Sequence, residues 1–239
     1  NESQDGNSHG LLGIKQMEPT YLLWIAETLN SLSDEWFCQN TRYAVDSIMK
    51  KMIDEDHNVG EFYQPKELTE LALMLLDANV GSVYNPYAGV GSYGAALNPN
   101  CKYYGQETSD WNVVGILNLL INGKENYVLE KEDSVSRWKG EDNYDYIISR
   151  PPFKVKCNSK YHFCDIDFLI HASKDAKEKA IGIFRSGICF SKNSLISKSI
   201  VELVEKDWVE YVISLPQGIF STTGIQTVML VINKNKNIK

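Results

Sequence analysis

An α/β fold is what this 239-residue sequence predicts: a mostly parallel seven-stranded sheet, antiparallel in its final hairpin strand, with a small N-terminal helical segment in front. Three observations predict it. From residue 82 onward, short β-branched and aromatic runs alternate with helical patterns; a glycine-rich turn follows the first strand; and the last two strands succeed one another with no helix between them. Alternation of strands and helices builds a parallel sheet covered on both faces, and a direct strand-to-strand link builds an antiparallel pair.

The elements follow in order. Across residues 21–52, Leu22, Ile25, Leu29 and Leu32, then Ala44, Val45, Ile48 and Met52, recur every three to four positions, which is helical spacing. Residues 1–58 are therefore read as a helical segment and residues 59–239 as the main domain. Pro65, with its fixed φ, opens a helix through Ala78 whose buried face is Leu68, Leu71, Ala72, Leu75 and Leu76. Strands are expected at residues 82–85, 102–106, 127–130, 144–149, 180–184, 209–214 and 227–233. Helices are expected at residues 111–121, 165–176 and 195–205, with a short one after the glycine turn.

Composition narrows the function. A net charge of −7 argues against a protein that grips a long phosphate track unaided, because phosphate neutralisation needs clustered Lys and Arg. Lys154, Lys156 and Lys160 form the one local basic cluster of interest; they either touch phosphates or belong to a solvated loop. Five cysteines, odd in number and without zinc-ligand spacing, read as reduced thiols. No apolar leader opens the chain and no apolar run reaches membrane-span length, so the expected location is cytoplasmic.

In open α/β sheets the loops after the strands carry ligands. After the first strand comes Asn85-Pro86-Tyr87-Ala88-Gly89-Val90-Gly91, where Gly89 and Gly91 permit positive φ and close backbone approach. The second strand ends at Glu107, a carboxylate suited to the two hydroxyls of a ribose; the third delivers Asp133 and Ser134, suited to an exocyclic amine. Each of these alone is as readily a loop charge. Gly89-Val90-Gly91-Ser92-Tyr93-Gly94 also matches the dinucleotide fingerprint, but Asn98-Pro99-Asn100 cuts the following helix short, against that reading.

The fourth strand runs into Ser149-Arg150-Pro151-Pro152-Phe153, where two prolines rigidly aim a carbonyl and a ring past the strand end. With this turn in view, the sequence resembles the N-6 adenine DNA methylases, in particular the modification subunits of type I restriction-modification systems. The resemblance covers residues 59–236. Arg150-Pro151-Pro152-Phe153 is similar to the catalytic Asn-Pro-Pro-Phe; Gly60-Glu61-Phe62-Tyr63-Gln64-Pro65 to the Gly-x-Phe-Tyr-Thr-Pro element that contacts the methionine part of the cofactor; and the Asn85 loop to Asp-Pro-Ala-Cys-Gly-Ser-Gly. Leu215-Pro216-Gln217-Gly218-Ile219-Phe220 and Gly224-Ile225-Gln226-Thr227 resemble the family's distal signature.

The resemblance implies a Rossmann-like sheet that binds S-adenosyl-L-methionine. Its contacts would be Tyr63, Gln64, Pro65, Asn85, Tyr87, Ala88, Gly89 and Gly91, with Glu107 on the ribose and Asp133 and Ser134 on the adenine. It implies a flipped adenine stacked on Phe153, double-stranded DNA as substrate, and a specificity subunit and a restriction subunit as partners. Four positions depart from the family pattern: Gln64 for threonine, Asn85 for aspartate, Arg150 for the catalytic asparagine and Arg185 for a proline. A guanidinium has five donors and no acceptor, so Arg150 cannot accept the hydrogen bond that asparagine would, and little adenine methylation is expected unless Arg150 turns to a phosphate or to an acidic group such as Asp145. Two other readings stay open: a degenerate scaffold that binds DNA or subunits without turnover, and a methyltransferase acting on a planar amine other than DNA.

Overall fold

The structure, a computed structural model, describes residues 64–191, 194–220 and 224–236, together with separate positions between 20 and 47. The chain divides into two compact units, Asn1–Met49 and Lys50–Lys239. In the first, the described positions Leu23, Glu27, Asn30, Glu35, Trp36, Asn40, Tyr43 and Ser47 are helical. The apolar positions on which the helical expectation rested there lie outside the described residues.

The second unit is one seven-stranded sheet. Its elements are α1 (Lys66–Leu76), β1 (Gly81–Asn85), α2 (Ser92–Ala96), β2 (Cys101–Glu107), α3 (Trp111–Ile121), β3 (Tyr127–Lys131), β4 (Tyr146–Ser149), α4 (Cys164–Asp175), β5 (Lys179–Arg185), α5 (Ser194–Glu205), β6 (Val209–Ser214) and β7 (Thr227–Asn233). The strand order is β3-β2-β1-β4-β5-β7-β6. Strands β1 to β5 pair in parallel, and β7 inserts antiparallel between β5 and β6. The final strand is thus the antiparallel one, as the missing helix before it requires.

Alternation along the strands builds two cores. Val83 and Ile148 point to the face covered by α1, α2 and α3, and pack with Leu68, Ala72, Leu76 and Leu119. Tyr84 and Ile147 point to the other face and pack with Phe168 and Leu169 of α4 and Leu203 of α5. Neighbouring residues facing opposite ways is the period-two geometry of a strand. Both faces being apolar is why β4 and β7 are buried along their whole length.

Strand β4 begins two residues later than the pattern suggests. The Tyr144 and Asp145 carbonyls accept from Lys177 and Glu178 N–H instead of from a strand, and the Asp145 carboxylate accepts from Ser82 N–H and Oγ at 2.8 and 2.9 Å. Burial pushes the Asp145 carboxyl up, but the Ser82 hydrogen bonds and the Lys177 charge outweigh it and hold the group below the ordinary carboxylate range. Asp145 precedes β4 and Arg150 follows it, so the two stand at opposite ends of the strand and the exception in which Arg150 turns to Asp145 is not met.

Strand order reverses between β1 and β4, and ligands bind at such a switch point, outside the carboxyl ends of the strands. The glycine turn leaves β1 and the Pro-Pro turn leaves β4. The topology therefore brings the two most suggestive loops of the sequence to one crevice.

Candidate active site

Two adjoining cavities occupy that crevice. The larger, about 340 Å³, is lined by Tyr87, Gln106, Glu107, Asp133, Ser134 and Pro152, together with Lys156, Cys157 and Cys164. The smaller, about 120 Å³, is lined by Gln64, Asn85, Ala88, Gly89, Ser92, Tyr93 and Arg150. Tyr87, Glu107, Thr108 and Pro152 line both, so the cavities meet at these residues.

The turn after β1 has the conformation that its glycines allow. Gly89 and Gly91 have φ of 54° and 71°. The Gly89 N–H donates to Glu107 Oε2 at 3.0 Å, while Ser109 N–H and Oγ donate to Oε1 at 2.9 and 2.7 Å. A carboxylate has about four acceptor positions. Three protein donors leave room for about one more, so Glu107 as folded here has capacity for one ribose hydroxyl where the sequence suggested two.

Gly91 itself does not line a cavity; it caps α2, and a Cβ on it would sit 3.3 Å from the Gly115 carbonyl. Gly94 is packed still closer, its hypothetical Cβ 2.6 Å from the Tyr103 ring, although α2 is only five residues long. The third glycine of the fingerprint thus serves close helix-on-sheet packing even in a helix too short for a dinucleotide fold.

The loop after β3 is held by a residue that the sequence did not single out. Gln106 is fully buried; it accepts from the Tyr84 hydroxyl and donates to Glu132 Oε2 and to the Arg137 carbonyl. That clamp presents Asp133, exposed, and Ser134, buried, to the larger cavity. Asp133 Oδ1 accepts from Val135 N–H at 3.0 Å. Burial, with Cys164 and Asp167 adding to it, raises the pKa of the Tyr87 phenol, so Tyr87 remains a neutral ring wall. Gln106 could have been noticed only as a polar residue at a buried strand end.

At the smaller cavity each departure from the family pattern is built into the protein. Gln64 donates to Thr69 Oγ1 and accepts from the Tyr93 hydroxyl, both at 3.0 Å. The buried Asn85 amide faces the Ile148 and Tyr87 carbonyls, which only accept; with its nitrogen turned toward them it donates at 3.1 and 3.2 Å, donates to Ser149 Oγ at 2.7 Å, and accepts from the Tyr103 hydroxyl at 3.0 Å. Ser149 is buried with its hydroxyl against Asn85 and is no substitute for the missing asparagine.

The Arg150 guanidinium lies over the Phe220 ring at 5.0 Å and the Phe153 ring at 5.9 Å, and these two rings meet edge to face at 71°. Phe153 lines neither cavity; it packs against the core with Phe220. Phe220, which ends the distal motif, is the partner that the sequence offered without a role. Pro65 accepts the first helical hydrogen bonds of α1, and Pro151 is buried in the turn. Tyr63 lies outside the described residues. Arg185 donates to Asp165 from Nε at 2.9 Å and from Nη2 at 2.8 Å; Asp165 is fully buried. Lys154, Lys156 and Lys160 are exposed, and Lys160 Nζ lies over the Tyr161 ring at 4.8 Å. The described cysteines are free thiols, and burial, with Cys157 adding to it, pushes the Cys164 thiol up to about 12.

A parallel sheet reversing at β1/β4, with an antiparallel β7 and a two-part cavity at the switch point, defines the Rossmann-like class I S-adenosylmethionine-dependent methyltransferase fold. A class I methyltransferase structure from Listeria monocytogenes, itself described as putative, matches it with a TM-score of 0.70 at 14% identity, over 91% of this chain and 75% of that one. The N-6 DNA methylase family profile matches residues 44–239, and the chain belongs to that family. It is similar to the type I restriction enzyme MpnII methylase subunit of Mycoplasma pneumoniae, 24% identical over 75% of this chain and 41% of that protein. It is also similar to the MjaVII methylase subunit of Methanocaldococcus jannaschii, 28% identical over 74% and 37%. The chain thus spans about two fifths of the length of these relatives.

Proposed function

We propose that the chain acts as the S-adenosylmethionine-dependent adenine-N6 DNA methyltransferase of a type I modification subunit, with Arg150 slowing the transfer step. The observation that carries this reading is the shared crevice: the Gly89 loop and the Pro151-Pro152 turn leave adjacent parallel strands and border cavities that meet at Pro152. The donor set fits the cofactor in the larger cavity, where Glu107, Asp133 and Ser134 would hold the ribose and adenine against Tyr87. Gln64, Asn85, Ala88 and Gly89 would border the amino-acid end, Gly91 would shape the turn, and Tyr63 and Pro65 are proposed as contacts on the family pattern alone. When bound, S-adenosylmethionine supplies a methyl group on a cationic sulfur.

On the acceptor side, the Pro151 carbonyl would take one N–H of the target amine, and its neighbour should take the other to localise the nitrogen lone pair. Arg150 only donates, so that second acceptor is missing. Loss of one such transition-state hydrogen bond costs roughly a hundred- to a thousandfold in rate. The guanidinium also brings positive charge to the smaller cavity, and two unit charges ~5 Å apart at an effective dielectric of ~20 repel by ~3 kcal/mol. A base stacking on Phe153 would first have to displace Arg150 from that ring.

A net charge of −7 over these 239 residues leaves most of the DNA grip to groups outside them. A specificity subunit would choose the sequence, a restriction subunit would complete the assembly, and the setting would be the cytoplasm. The test is transfer of labelled methyl to double-stranded DNA, with the specificity subunit present, by the natural chain and by Arg150→Asn. The expected result is a barely measurable natural rate and a gain of about a hundredfold in the variant. Fast turnover by the natural chain would overturn the role given to Arg150; no turnover by either would favour a non-catalytic scaffold.

A further inference from the structure

Resting on the reading of the two cavities as a nucleoside cofactor site, we propose that Arg150 makes this site select the uncharged thioether S-adenosylhomocysteine over the sulfonium S-adenosylmethionine. The two ligands share their adenosine and amino-acid parts and differ by one methyl group and one positive charge. Contacts at Glu107, Asp133 and Ser134, and any contact of the ligand carboxylate with Arg150 itself, cancel in the ratio of their affinities. What remains is the local potential at the sulfur.

Among the described residues lining the smaller cavity two are charged, Glu107 and Arg150. Glu107 also lines the larger cavity, so it lies where the two join, and its oxygens are already shared among Gly89 and Ser109 donors. Arg150 lines only the smaller cavity. The cation therefore dominates the end away from the nucleoside. A guanidinium does not lose its proton at any pH the fold survives, so the bias is permanent.

Its position is held as well. The guanidinium rests on the Phe220 ring at 5.0 Å and the Phe153 ring at 5.9 Å, and Phe220 is only 3% exposed. Cation–π attraction strengthens as such a pair is removed from water. A side chain resting on two packed rings relaxes away from a second cation less readily than a fully solvated arginine would. Phe220 is buried and Arg150 part-buried, so salt screens the repulsion only in part.

Calorimetric titration of the full chain with S-adenosylhomocysteine, S-adenosylmethionine and adenosine tests this. The natural chain is expected to bind the thioether at least tenfold more tightly than the sulfonium. Arg150→Met should bring the two within about threefold while leaving adenosine affinity unchanged, and Arg150→Lys, which keeps a charge, should retain most of the preference. Unchanged adenosine binding shows that the variants are folded. Equal binding of both ligands by the natural chain, or a tenfold preference surviving in Arg150→Met, would overturn the role of Arg150 and leave the pocket assignment standing. Failure of all three ligands to bind the natural chain would overturn the pocket assignment itself.

Discussion

The two ends of the crevice differ in what their polar groups are doing. At the end proposed for the nucleoside, Glu107 and Asp133 fall at the family's positions, and the protein orients them and Ser134 through Gly89, Ser109 and Gln106 while leaving them toward the cavity. At the transfer end, Gln64, Asn85 and Arg150 all depart from that pattern, and each is engaged by the protein itself: Gln64 by Thr69 and Tyr93, Asn85 by Ser149 and two carbonyls, Arg150 by two rings. Glu107 is engaged by the protein too, but keeps about one acceptor position for a ligand. On the proposed reading, binding and transfer have separated in this chain, the first retained and the second restrained.

Returning departed residues toward the family pattern, or removing their partners, is the way to break that comparison. The largest effect is expected at Arg185. Arg185→Ala strands the fully buried Asp165 carboxylate, and breaking a buried pair from one side costs about 3–5 kcal/mol. Urea denaturation should report that loss, with Asp165→Asn in the same chain recovering much of it. A loss under 1 kcal/mol would mean that this departure is not structural.

A smaller effect is expected at Asn85. Asn85→Asp restores the family residue, yet turns a carboxylate toward the Ile148 and Tyr87 carbonyls in a buried site, which costs about 1–3 kcal/mol at neutral pH. Burial raises the pKa of such a carboxyl above its unfolded value. The penalty belongs to the ionised form, so the stability gap to the natural chain should narrow as pH falls through the folded pKa toward 4. A gap that widened on acidification would reverse the assignment of the amide orientation.

How much of this was legible in the sequence differs along the same divide. All seven strands and the antiparallel β7 followed from alternation and from the absent helix, because burial on both faces leaves a strong apolar signal in Ile147, Ile148 and residues 227–233. Glu107 and Asp133 were legible as strand-end carboxylates. Gln106 was not, since a clamp between β2 and the loop after β3 depends on Tyr84 and Arg137, which are distant in the chain. Nor was the position of Arg150: its chemistry as a donor could be read, but Phe220 lies seventy positions away and carries no mark of the contact. The Asp145 pairing failed because sequence proximity hides the length of the strand lying between the two residues.

The most direct test of the central claim, that the cavity beside β2 and β3 retains a nucleoside cofactor site, is the affinity of S-adenosylhomocysteine for Asp133→Ala. Asp133 is exposed and its hydrogen bond from Val135 N–H is local, so the substitution should lower the melting temperature only slightly and separate binding from folding. The account predicts at least tenfold weaker binding than in the natural chain, and affinity equal to that of the natural chain would contradict it.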